Sequence, residues 1–355
     1  MTDQQPPAHS RAAVAAGVAG AVLVGVLTAT QSRINSELSL GLRDGYLAAL
    51  ISFGSGLVIM LVVLAFWAPG RRGILMLTRS VRSGATPWWY LIGGAGGGFF
   101  VLTQGLTGAV LGVALFSVAI VSGQTVSGLV VDRRGIGATP PTSITVTRLI
   151  GSALALAAVA WAVSSQLNGN VPAWMLLLPF IAGLAIAAQQ AVNGQVRLVA
   201  GSAMTATLLN FLVGAAVLLV AAVIHEVIVG LPAHFPTAPW LYLGGLTGTI
   251  FIAGAVIVVR TTGVLLLGLG SVAGQLVMSL ALDAFFPVDG RTIAVTTIAG
   301  TVLTLVAVGI AATPSRAIRR LGKSTSGIGH VSELEDVERT PPEATPPRSG
   351  CAPSA

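Results

Sequence analysis

Residues 114–132 read ALFSVAIVSGQTVSGLVVD, and residues 265–283 read LLLGLGSVAGQLVMSLALD. Each run is apolar, carries a Gly-Gln pair near its middle and ends on an aspartate: Gly123-Gln124 and Asp132, then Gly274-Gln275 and Asp283. All of these pairs are separated by the same 151 positions. A helix crosses about 30 Å of hydrocarbon with about 20 apolar residues, so both segments read as membrane spans, and as copies of one another.

Working outward, the duplication extends along the chain. Gln31-x3-Asn35 recurs as Gln189-x3-Asn193, Phe53 as Phe211 and Gly56 as Gly214, at an offset of 158. Gly93-Gly94 recurs as Gly244-Gly245 at 151, and Gly151 as Gly300 at 149. Offsets that drift only between apolar runs are what duplication followed by loop insertions and deletions produces. Ten spans are expected: 12–32, 46–67, 88–107, 110–131, 144–164, 174–196, 203–224, 239–259, 263–285 and 292–312. Short turns at Thr107-Gly108-Ala109 and Thr261-Thr262-Gly263 join the third span to the fourth and the eighth to the ninth. The chain therefore divides into an N-terminal segment (1–11), a first five-helix repeat (12–164), a second (174–312) and a polar tail (313–355) too poor in apolar groups to fold.

Composition agrees. Of the 355 residues 54% are hydrophobic and 9% charged, against roughly 25% charged in soluble domains, and the mean hydropathy is +0.87. The basic pI near 10.9 does not point to nucleic acid, because the cations lie in loops between apolar runs. The one cysteine, Cys351, excludes an internal disulfide and a cysteine zinc site. Thirteen basic residues fall on one side: Arg11, Arg71, Arg72, Arg79, Arg82, Arg133, Arg134, Arg197, Arg260, Arg316, Arg319, Arg320 and Lys323. Only Arg33, Arg43 and Arg291 fall on the other. The positive-inside rule then puts both termini in the cytoplasm. With five spans per copy, the second copy enters the bilayer inverted, an arrangement found in many secondary transporters.

The segments Gln31-x3-Asn35, Phe53-x2-Gly56, Pro87-Trp88-Trp89-Tyr90-Leu91-Ile92-Gly93-Gly94 and Gly123-Gln124-x7-Asp132-x2-Gly135 resemble the YdcZ-type branch of the drug/metabolite transporter superfamily, over residues 13–312. The resemblance implies a bacterial inner-membrane protein, an all-α fold of ten transmembrane helices as two inverted five-helix repeats, and an exporter class without a defined cargo. Other members of that family are single five-span units that pair.

Polar side chains within spans are costly and face other helices or a watery path. Ser117, Gln124, Gly128 and Asp132 share one helical stripe, and Gly268, Ser271, Gln275, Ser279 and Asp283 share its copy. Gln124, Gln275, Ser117, Ser271, Ser279, Asn210 and Gln104 are candidates to line a substrate path; interhelical hydrogen bonding is the alternative for the two glutamines. Gln31, Asn35, Gln189 and Asn193 are candidates for a vestibule or for capping span ends. Asp132 and Asp283 are candidates for gates or for interface carboxylates. Phe99, Phe100 and Phe116 could wall an apolar substrate or face lipid and core. His225-Glu226 reads as a solvated loop pair, the alternative being a pair that titrates near neutral pH.

No acid occupies a span centre, which weighs against proton antiport and against lipophilic cations as cargo. No histidine lies in a span centre beside a serine, and no phosphate-binding glycine loop with a lysine is present, so catalysis is not expected. No metal or cofactor is expected. The reading is a secondary transporter, an exporter of small metabolites or amphipathic compounds working by alternating access. The alternative is a non-transporting scaffold or receptor on the same fold. Coupling to protons or another ion stays open, with Glu37, Asp132, Glu226 and Asp283, all near interfaces, as the acids that remain, and a fused chain suits a monomer or a homodimer.

Overall fold

The computed structural model describes residues 11–136, 145–164, 172–287 and 293–311. Among the described residues all regular structure is helical. The helices are α1 (Arg11–Leu42), α2 (Gly45–Phe66), α3 (Ala68–Arg82), α4 (Gly94–Leu111), α5 (Val113–Arg134), α6 (Val146–Ser164), α7 (Ala173–Ala200), α8 (Ala203–Val229), α9 (Gly244–Phe285) and α10 (Val295–Ala311). Short 3-10 helices, Trp88–Gly93 and Pro239–Tyr242, lead into α4 and α9. Eight described stretches are long and apolar enough to cross a membrane, and Gly244–Ala255 and Val295–Ile310 are shorter apolar helices. Leu61 and Val62 on α2 and Leu219, Val220 and Val223 on α8 are exposed. In water such a belt would be untenable, whereas lipid is its natural solvent. The expected tail and the loops at 137–144 and 165–171 lie outside the described residues.

Three boundaries differ from the sequence expectation. First, α1 runs to Leu42 rather than stopping near residue 32. Its last three turns carry Ser32, Asn35, Ser36 and Ser39, which depress hydropathy but are buried. Reversal comes instead at Arg43, with φ +57°, and Asp44, whose carboxylate accepts Tyr46 N (2.8 Å) and Leu47 N (3.1 Å) at the start of α2. Gln31 and Asn35 therefore sit inside a helix, as do Gln189 and Asn193 in α7, and none of the four caps a helix end. Second, the turn between α4 and α5 is at Gly112 (φ +80°) and not at residues 107–109. Third, the arginine-bearing segment after α2 is itself a helix, α3, started by Pro69 in its first turn. It buries Gly70, Gly73 and Leu77 and exposes Arg71, Arg72, Arg79 and Arg82. His225 and Glu226 likewise lie in α8 and not in a loop; His225 stacks on Tyr46 with ring centroids 4.4 Å apart.

Helical structure continues through Thr261-Thr262-Gly263 in α9, where a turn was expected. The chain nevertheless doubles back. Gly244 lies against Asn35, Gly248 against Gln31 and Val258 against Gly20, so the first half of α9 runs antiparallel to α1. Gly270 then meets Ala21, Ser271 and Gln275 meet Gly25, and Leu282 clusters with Ala29. A straight helix would hold residues 248 and 282 about 51 Å apart, yet both flank the same few turns of α1. The reversal falls between Val258 and Gly270.

Contacts recur at the sequence offsets. Gly25 of α1 crosses the backbone at Ser271 and Gln275, and Gly183 of α7 crosses it at Ile120 and Gln124, each member displaced by 158 or 151 from its counterpart. Phe53 packs on Gly214, and Phe211 on Gly56, with the two rings 5.0 Å apart. Ser52 backbone faces Gly245 as Asn210 backbone faces Gly94. Each half thus inserts its first two helices into the other. At Gly25, Gly183, Gly94 and Gly245 a Cβ would overlap a neighbouring main chain, and at Gly56 and Gly214 it would overlap the Phe211 and Phe53 rings; small residues are what let membrane helices approach so closely.

One capping interaction spans the halves. The Asp283 carboxylate accepts Val113 N (3.0 Å) and Ala114 N (2.7 Å), satisfying the first amides of α5 beyond the Gly112 turn. Arg33, which pairs with Glu37, places Nη1 3.9 Å from the same carboxylate. Asp283→Ala is expected to cost about 1–2 kcal/mol, read as a lower midpoint of thermal unfolding in detergent; an unchanged midpoint would show the cap to be idle.

Candidate functional site

A cavity of about 460 Å³ lies between α1, α2, α4, α5, α7, α8 and α9. Its apolar walls are Phe53, Phe100, Phe211, Phe251 and Ile186, and its polar lining includes Gln31, Gln124, Gln189, Asn193, Asn210 and Gln275. The reason these groups converge is the crossing geometry. Gly25 and Gly183 press α1 onto α9 and α7 onto α5 beside Gln275 and Gln124, so both glutamines are carried to the space between the halves.

Hydrogen bonding is incomplete there. Gln189 Nε2 and Asn193 Nδ2 both donate to Asn210 Oδ1, the latter at 3.2 Å. Gln31 Nε2 donates to the Gly244 carbonyl at 2.9 Å. Gln275 is only 6% exposed and its Nε2 has no acceptor, and Gln189 Oε1 has no donor. Buried amide groups normally find partners, so one unmet donor and one unmet acceptor at a cavity wall are open positions for a ligand.

The two ends of the cavity differ, although the repeat makes their residues equivalent. At one end Asn35 Nδ2 donates to Gln104 Oε1 (2.7 Å), and Gln104 Nε2 donates to Ser32 Oγ (2.7 Å). Ser36 Oγ donates to the Gln104 carbonyl (3.2 Å) and Ser39 Oγ to the Gly105 carbonyl (2.6 Å). Ser32, Asn35, Ser36 and Gln104 are each at most 1% exposed. That end is sealed by α1 on α4. The residues 158 positions on from Ser32, Asn35, Ser36 and Ser39 are Gln190, Asn193, Gly194 and Arg197, and all four line the cavity.

Of the remaining sequence candidates, Ser271 lines the cavity and donates to the Gly268 carbonyl (3.0 Å). Ser117 and Ser279 are fully buried and lie outside the lining; Ser279 donates to the Leu276 carbonyl (2.9 Å). Gln104 belongs to the seal and not to the cavity wall. Asp283 is the α5 cap described above, and the side chain of Asp132 lies outside the described set. Phe100 lines the cavity, while Phe116 is fully buried behind it, ring centroids 6.1 Å apart. Arg197 is a lining residue that sequence reading used only to mark a membrane side; its spacing of four from Asn193 was the available signal.

An all-helical membrane protein with a polar cavity between two interlocked halves is the class these features define. The profile of the family described as "Putative inner membrane exporter, YdcZ" matches residues 16–161 and 174–310, and the chain belongs to that family. No curated protein matches. A solved structure titled only "Crystal structure of protein" is similar over 88% of this chain and 99% of its own, with a TM-score of 0.51 and 17% identity, a likeness of fold.

Proposed function

We propose that the chain is a secondary transporter that moves small molecules through this cavity by alternating access, its two halves being inverted copies. The observation that carries the proposal is the unequal state of equivalent residues: Ser32, Asn35, Ser36 and Ser39 sealed, and Gln190, Asn193, Gly194 and Arg197 open to the cavity. Two copies of one structure can exchange these states, so sealing one end while unsealing the other needs no new fold. The charge bias puts the Arg197 end on the cytoplasmic side, so the open state faces inward, ready to load an exported solute. Gln124 and Gln275 stand beside the Gly183 and Gly25 crossings of the two halves and can offer donor and acceptor to cargo in both states.

Proteoliposomes test this. Solute flux from a metabolite panel is expected, and Gln124→Ala with Gln275→Ala is expected to slow it roughly tenfold or more, the equivalent of one or two hydrogen bonds. Undiminished flux in the double variant would remove the amides from the path. Absence of flux for every solute, with binding retained, would favour the receptor or scaffold reading.

A further inference from the structure

We infer that the cargo is an amphipathic organic anion whose acidic group meets Arg197 and whose apolar body lies among Phe53, Phe100, Phe211 and Phe251; the inference rests on the transporter reading above. Arg197 is the one ionised side chain among the described lining residues, which include no aspartate or glutamate. Among the described residues it has neither an ion-pair partner nor a hydrogen-bond acceptor. An unpaired cation at the mouth of a low-dielectric cleft raises the local concentration of anions and repels cations. Beyond it the free Nε2 of Gln275 offers a further donor, and the volume of about 460 Å³ suits a small aromatic or aliphatic acid.

The repeat supplies the second argument. Arg197 stands where the sealed end has Ser39, which is 8% exposed and bonded to the Gly105 carbonyl. Sealing the Arg197 end in the same way would bury a guanidinium where a hydroxyl fits. Arginine does not shed its proton, and a bare buried charge is strongly disfavoured. A carboxylate carried by the cargo removes that obstacle through two parallel N–H···O bonds. The inward end therefore closes over a loaded anion more readily than over an empty cavity.

The test uses three ring compounds of matched size and different charge, phenylacetate, phenylacetamide and phenethylammonium, with the full chain in lipid nanodiscs. Displacement of radiolabelled phenylacetate is the readout. The acid is expected to bind roughly ten- to a hundredfold tighter than the amide, and the ammonium more weakly than both. Arg197→Gln should bring the acid down to the amide's affinity while leaving the amide unchanged, which also shows that the variant is folded. Arg197→Lys should keep the order. A preference for the ammonium, an acid preference that survives in Arg197→Gln, or no saturable binding of the acid would each overturn the inference. Inorganic sulfate alone should compete poorly; if it competes as well as phenylacetate, the aromatic walls play no part and the amphipathic assignment fails. In proteoliposomes, flux of neutral solutes without acid preference would sink the anion inference and leave transport standing. Acid binding without flux would do the reverse.

Discussion

Gly25→Val and Gly183→Val are each expected to destabilise the fold by more than about 3 kcal/mol, beyond the usual range for overpacking. Both glycines stand at helix crossings where the obstacle is main chain. A Cβ on Gly25 would overlap the Ser271 carbonyl and lie 2.6 Å from Gln275 N. One on Gly183 would overlap the Ile120 carbonyl and lie 3.0 Å from Gln124 N. A side chain could rotate away, but a helix backbone can yield only by moving the whole helix. The two substitutions strike equivalent contacts, so their effects should be of similar size. Gly54→Ala and Gly268→Ala have open space at the added atom and should change stability by no more than about 1 kcal/mol, in the stabilising direction. Monodispersity and thermal midpoints in detergent distinguish these cases. A tolerated valine at either crossing would mean that the halves do not interlock as described.

Gln104→Leu is expected to open the sealed end. The leucine is close to glutamine in volume, so packing is nearly preserved. It leaves the Asn35 amide without its acceptor, and Ser32 Oγ loses a donor. Each stranded buried group costs about 1–3 kcal/mol in the sealed state and much less once water reaches it. On the alternating-access reading proposed above, the balance between states should therefore shift toward the form open at this end by roughly a hundredfold, taking about 2.7 kcal/mol across the pair. In a Cys351→Ser background, which removes the single native cysteine, Ser36→Cys reports the change. Its labelling by a membrane-impermeant maleimide from the outside should be slow alone and fast with Gln104→Leu. Equal slow rates would mean that the seal does not depend on this amide.

Much of this architecture was legible because lipid imposes simple rules. Apolar runs near 20 residues and paired offsets of 158 and 151 were visible in the residues, and those offsets also relate the contacts. Gln124 and Gln275 stood out because an amide in an apolar run is conspicuous. Where a helix turned its polar groups inward, hydropathy misled. The extension of α1 through Arg33, Ser36 and Glu37 looked like a span end because internal hydrogen bonds and ion pairs leave no mark on a hydropathy count. For a different reason α3 passed for a loop: its buried face is Gly70, Gly73 and Leu77, too small to register beside four arginines. The turn at Gly112 was displaced from the expected site because its position is set by a carboxylate about 170 residues away, Asp283. Pairings across the repeat, such as Gln31 with the Gly244 carbonyl, follow from helix crossings and not from local sequence.

The interlocking of α1 with α9, and of α7 with α4 and α5, bears on how the chain is made. On the ribosome, α1 to α6 emerge and insert before any of α9 exists. During that interval Gly20, Gly25 and Gln31 have none of the neighbours that later cover them, and the Gln31 amide has yet to meet the Gly244 carbonyl. The interior is finished only when the last third of the polypeptide arrives. A message truncated after α6 would therefore leave a product with an uncovered helix face in the bilayer, the kind of surface by which membrane proteases recognise incomplete synthesis.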